Sequence, residues 1–72
     1  MAVQNIAFNV EDMINDDSAQ LIKSSLKIFN GVIEVIVDIN TRRVVVEYDE
    51  ERLSAGIIRE KIEDAGFKVK YT

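Results

Sequence analysis

The sequence predicts a small α+β sandwich: a four-stranded antiparallel sheet with two helices on one face, in the order strand–helix–strand–strand–helix–strand. Three observations carry this. Apolar residues recur at helical spacing in two stretches and alternate with a period of two in four others. Clusters of cap and turn residues separate the stretches, and two glycines fall just after the helical ones. Right-handed crossovers close that order into a single sheet with both helices on the same side.

Asn5 to Val10 alternates, with Ile6, Phe8 and Val10 on one face and Asn5, Ala7 and Asn9 on the other, as a half-buried strand does. The polar run Glu11–Ser18 breaks the alternation and reads as a loop. Ala19, Ile22, Leu26 and Phe29 then form one helical stripe. Asn15, Asp16, Asp17 and Ser18 are all residues that cap helix N-termini, and Asp17-Ser18-Ala19-Gln20 reads as a capping-box variant. Lys23 and Lys27 lie on the other side and suit the C-terminal half of the helix dipole. Asn30-Gly31 ends the helix, with Gly31 in the left-handed position beyond the cap.

Val32 to Ile39 is rich in Val and Ile, with Val35, Val37 and Ile39 on a shared face. Asn40-Thr41-Arg42 makes a tight polar turn, and Arg43 to Tyr48 returns with Val44, Val46 and Tyr48 on one face. Ile36 and Val45 fall on the opposite, open face, joined by Ile33 as further exposed apolar surface. Asp49-Glu50-Glu51-Arg52 is a charged connection. Ser54 caps a second helix with apolar positions Ile58, Ile62 and Ala65, flanked by Leu53 and Ile57, and Gly66 stops it. Phe67-Lys68-Val69-Lys70-Tyr71 alternates apolar and basic residues, as an edge strand does, and the basic side chains with Arg42 and Arg43 protect that edge. The whole is the ferredoxin-like βαββαβ arrangement.

With 72 residues the chain makes one domain, spanning 1–72. A chain of this size buries only about 60–65% of its unfolded surface. It contains no Cys and no His, so neither disulfides nor a common structural metal supports it, and packing alone must hold the fold. The missing thiols also exclude thiolate metal sites, iron–sulfur clusters and redox pairs, and the missing imidazoles remove the commonest general base. Nucleic-acid binding is disfavoured by the net charge of −4. There is no apolar run of membrane-spanning length, and Met1-Ala2-Val3-Gln4-Asn5 lacks the basic and apolar regions of a secretory leader, so the expected compartment is the cytoplasm. No Ser-His or Cys-His pair and no Gly-rich phosphate loop is present, so the chain does not read as an enzyme.

Gly31-Val32, Val44-Val45-Val46-Glu47-Tyr48-Asp49 and Ile62-Glu63-Asp64-Ala65-Gly66-Phe67 carry a resemblance. The chain resembles heavy-metal-associated domains of the copper-chaperone kind. These have the same element order, a Met-x-Cys-x-x-Cys loop before the first helix, Gly-Val opening the second strand, Val-x-Val-x-Tyr-Asp ending the third, and Ile-Glu-x-Ala-Gly-aromatic before the fourth. The resemblance covers nearly the whole chain and implies the fold above. It places the metal loop on Met13-Ile14-Asn15-Asp16-Asp17-Ser18. Met13 matches the family Met, whereas Asn15 and Ser18 stand at the two cysteine positions. In family members the two thiolates bind soft ions and pass them to a partner. An amide and a hydroxyl are neutral, hard donors and do not replace them.

Two functions follow. The first is a non-enzymatic docking or regulatory module, with the acidic loop meeting a basic surface on a protein partner. The resemblance makes a metal-transporting ATPase or another heavy-metal-associated domain the expected partner. The second is a metal-binding module. It would use Glu11, Asp16 and Asp17, with the loop positions Asn15 and Ser18, for a hard divalent cation, or share a metal with a partner that supplies the sulfurs; the Met13 thioether, the remaining loop position, would aid only a soft metal. Phe67 matches the aromatic residue that lies beside the loop in relatives. Each site residue also has a plainer role: Asn15 to Ser18 as helix caps, Met13 and Phe67 as packing.

Overall fold

The computed structural model describes residues 2–71, position 71 by its backbone alone; Met1 and the Tyr71 side chain, both used in the sequence reading, lie outside the described residues. The elements are β1 (Val3–Asn9), α1 (Asp16–Lys27), β2 (Val32–Asp38), β3 (Arg43–Asp49), α2 (Ala55–Asp64) and β4 (Lys70–Tyr71). The sheet order is β2-β3-β1-β4, and every pairing is antiparallel.

Directly opposed residues of antiparallel strands project to the same face. Phe8 lies opposite Val44, which lies opposite Val37; Ile6 lies opposite Val46, which lies opposite Val35. These rows are the core side of the sheet. Onto them α1 packs Ala19, Ile22 and Leu26, and α2 packs Ile58 and Ile62, all in one buried cluster, so both helices cover the same face. Phe8, Val10, Met13, Ile22, Val44, Val46 and Ile62 have no exposed surface. Burying a side chain of this size contributes roughly 1.5–3 kcal/mol, which is how a chain without staples reaches stability. The opposite sheet face carries the row Ala7, Val45 and Ile36, with Ile36 59% exposed, as the alternation implies.

Four details differ from the sequence reading. First, α1 begins at Asp16, inside the stretch assigned to a loop. Asn15 takes the cap: its backbone is extended at φ −149°, and its Oδ1 accepts the Ser18 N–H at 2.9 Å, leaving Asp16 and Asp17 in the first turn. Second, α1 ends at Lys27 with Ile28 as C-cap, so Phe29 lies beyond the helix although its ring still meets Lys61 Nζ at 4.7 Å. Third, Gly31 is left-handed (φ +103°) but does not follow the cap; it turns the chain into β2, where its carbonyl accepts the Asp49 N–H at 2.8 Å. Gly66 does take the position after the cap of α2, with φ +100° and its N–H donated to the Glu63 carbonyl at 2.9 Å.

The fourth difference is at the edge. Three strands of seven residues are formed, but the fourth, expected over Phe67–Tyr71, pairs only at Lys70 and Tyr71, opposite Asn9 and Phe8. The Lys68 N–H donates to the Asp12 carboxylate at 3.4 Å, away from the sheet, and Phe67 turns toward the core cluster. Between β2 and β3 the register shifts at Val32/Glu34, a bulge that leaves Ile33 43% exposed. The hairpin after β2 closes on Asp38, whose Oδ1 accepts the Asn40 and Thr41 N–H groups at 3.0 and 3.4 Å.

Candidate functional site

The loop between β1 and α1 begins with a tight turn, the Met13 N–H donating to the Val10 carbonyl at 3.1 Å. That turn drives Met13 inward, where its side chain is fully buried in the core. Its thioether therefore fills space beneath the loop and is closed to solvent. Asn15, Asp16 and Asp17 are exposed and Ser18 is half-buried. The structure brings the Asn15 side chain to the Ser18 backbone, and that bond is the helix cap, with Asp16 and Asp17 adding charge favourable to the N-terminal end of the dipole.

Other acidic residues face elsewhere. Glu11 Oε1 lies 3.9 Å from Lys70 Nζ, and Asp12 receives the Lys68 N–H. Among the described residues, no group of three or more Asp or Glu side chains is placed to hold a metal ion. Phe67 is half-buried against the core, and the Asp12–Lys68 bond holds its segment beside the loop. Of the predicted set, then, the Asn15 side chain meets the Ser18 backbone, Met13 is buried in the core, and the Phe67 segment is tied to the loop at Asp12. The donors at the two pattern positions are an amide oxygen already accepting a hydrogen bond and a neutral hydroxyl, both poorly matched to soft ions.

Residues 7–68 match the heavy-metal-associated domain family. The chain belongs to that family. This heavy-metal-associated domain is 41% identical over 66 residues to the copper chaperone CopZ of Staphylococcus haemolyticus, covering 92% of this chain and 97% of that protein. Its fold superposes on oxidised MerP of Ralstonia metallidurans with a TM-score of 0.92 at 25% identity, covering 99% of each chain. It also matches the N-terminal domain of a potential copper-translocating P-type ATPase of Bacillus subtilis, solved in its Cu(I)-loaded state: TM-score 0.90, 26% identity, 96% of this chain and 86% of that one. The domain is thus related both to metal chaperones and to ATPase metal-binding domains, and it carries no cysteine of its own.

The sequence reading passed over a second surface of this heavy-metal-associated domain. An open groove of about 250 Å³ runs between the helices, lined by Ser25, Ile28, Phe29, Lys61, Asp64 and Ala65. One signal was available: Ile28, at the C-cap of α1 and outside the Ile22–Leu26 stripe, is a large apolar residue left 78% exposed.

Proposed function

We propose that the chain is a single-domain, non-enzymatic docking module of the cytoplasm, in which the soft-metal site of the family has been given up and the fold retained to bind a protein partner. The observation that carries this is the bond from Ser18 N–H to Asn15 Oδ1, 2.9 Å long. The two positions that hold metal in the family pattern here complete a helix cap, and the nearby sulfur of Met13 is buried. A soft ion would have to break the cap to reach one weak oxygen donor. The partner class follows from kinship with chaperones and with an ATPase domain: a metal-transporting ATPase or another heavy-metal-associated domain. No helix among the described residues is long and apolar enough to cross a membrane.

A two-dimensional amide NMR titration with Cu(I), Zn²⁺, Ca²⁺ and Mg²⁺ in turn tests the reading. The expected result is an absence of saturable shifts at residues 11–18 and Phe67 up to millimolar ion. Saturation at micromolar ion, confined to those residues, would overturn it, and the ion responsible would say whether the surviving site is soft or a hard, oxygen-ligand one using Glu11, Asp16 and Asp17.

A further inference from the structure

Along β3, Arg43, Val45 and Glu47 project to the open face of the sheet, while both helices pack on the other. The register sets Asn9 and Asp38 beside Arg43, Ala7 and Ile36 beside Val45, and Asn5 and Glu34 beside Glu47. The face is therefore an apolar row between two polar ones. Ile36 is exposed and Val45 half-buried, so the apolar row is open to contact.

The charges of the outer rows are unmatched within the chain. Glu47 lies directly opposite Glu34, and like charges so placed repel. Neither acid has an ion-pair partner among the described residues; Glu34 Oε1 accepts only the neighbouring Val35 N–H. Arg43 has none either, and Asp38 beside it turns its Oδ1 to the amides of Asn40 and Thr41. Arg43 and Glu47 stand about 13 Å apart along the strand, equally far from Val45. A two-fold axis passing over Val45, across the strands and between two facing sheets, would lay Arg43 of each copy on the partner's Glu47. The same rotation lays Asn9 on the partner's Asn5, amide against amide, and returns the apolar row onto itself. A two-fold axis along the strand would set Arg43 on Arg43 instead. This order of cation, apolar residue and anion about one centre fits a second copy of the same face. We propose that the open sheet face pairs with the open face of a second copy of this chain in that antiparallel, isologous arrangement. On β2 the rotation opposes Asp38 and Glu34, but β2 is a border strand, and twisted sheets crossing at about 30° diverge at their corners, which leaves these acids in water. The three rows cover roughly 300 Å² in projection on each copy. Two such faces bury less than the ~1,200 Å² of a stable interface, and the net charge of −4 opposes association in dilute solution. The dimer is accordingly weak, with Kd of roughly 0.1–1 mM.

The test is sedimentation equilibrium and two-dimensional amide spectra of the full chain, from roughly 10 μM to roughly 2 mM. The expected result is a dimer at the upper end, with concentration-dependent shifts centred on Ala7, Ile36, Arg43, Val45 and Glu47. Arg43→Glu and Glu47→Arg should each weaken association at least about tenfold, because each sets like charges face to face. The double variant Arg43→Glu/Glu47→Arg, which exchanges the charges about the axis, should dimerise as the parent does. An equimolar mixture of the two single variants should form a heterodimer, since one face then carries two acids and the other two arginines. Circular dichroism would verify that each variant folds, and Ile36→Asp, in the exposed apolar row, breaks the dimer independently of the charges. A parent that stays monomeric to roughly 2 mM, a dimer indifferent to these single variants, a mixture no better associated than its components, or shifts centred on the helices would each overturn the proposal. None of these results bears on the docking reading of the loop, which the ion titration tests separately.

Discussion

Replacing Asn15 with Ala removes the side-chain oxygen that accepts the Ser18 N–H and nothing from the core, because Asn15 is exposed. Losing an N-cap of this type costs about 0.5–2 kcal/mol. The freed Ser18 N–H lies at the exposed end of the helix, where water satisfies it, so the full penalty of a buried orphan donor does not apply and about 1 kcal/mol is expected. A 72-residue chain has roughly 4–11 kcal/mol of stability in total, so the change is readily measured. For a domain of this size it lowers Tm by about 4–8 °C and the urea midpoint by roughly 0.5–1 M. Thermal and urea unfolding followed at 222 nm would read both. Asn15→Asp, which keeps the acceptor and adds charge suited to the dipole, should unfold within a few tenths of a kcal/mol of the parent. If Asn15→Ala proved neutral while Asn15→Asp was also neutral, the cap would not hold the helix start. The argument that this position has exchanged metal binding for helix capping would then fail.

The double variant Asn15→Cys/Ser18→Cys should lose about 1 kcal/mol without metal, since Cys caps poorly, and gain about 2.7 kcal/mol with Cu(I) at a hundredfold excess over Kd; a Tm scan with and without the ion checks both signs. Met13→Ala should cost about 2–5 kcal/mol and Met13→Leu less than about 1.5, with neither altering any ion titration, because the side chain is core. Gly31→Ala should destabilise more than Gly66→Ala in denaturant unfolding. Both glycines are left-handed, but a Cβ at Gly31 would meet Arg52 Cβ at 2.9 Å and Leu53 Cγ at 3.0 Å, whereas one at Gly66 would meet nothing within 4 Å.

The strands and the buried stripe of α1 are legible in sequence because their periods differ, and Phe8, Val44, Ile22 and Leu26 obey those periods. The helix start is less so: four consecutive residues, Asn15 to Ser18, all suit the cap, and local chemistry ranks them almost equally. What separates them is the three-dimensional requirement that Ala19 and Ile22 face the sheet. The shortened last strand was hidden for a stronger reason. The Asp12 carboxylate that draws off the Lys68 amide is 56 residues distant in the chain. At the candidate site, the absence of thiols at Asn15 and Ser18 is readable directly. The burial of Met13 is not, since a ligand and a core residue share the same side chain, and the groove depends on two helices whose relation no local pattern contains.

The bulge in β2 reaches beyond the register it disturbs. Val32–Asp38 carries five Val or Ile residues in seven at one border of the sheet, the composition that recruits strands from other molecules and seeds fibrils. Here the recruiting row is interrupted where Ile33 drops out of pairing, and Glu34 folds its carboxylate back onto the Val35 N–H at 3.1 Å, keeping that donor from an incoming chain. The most β-prone segment of this protein thereby offers a broken template to a strand arriving from another molecule.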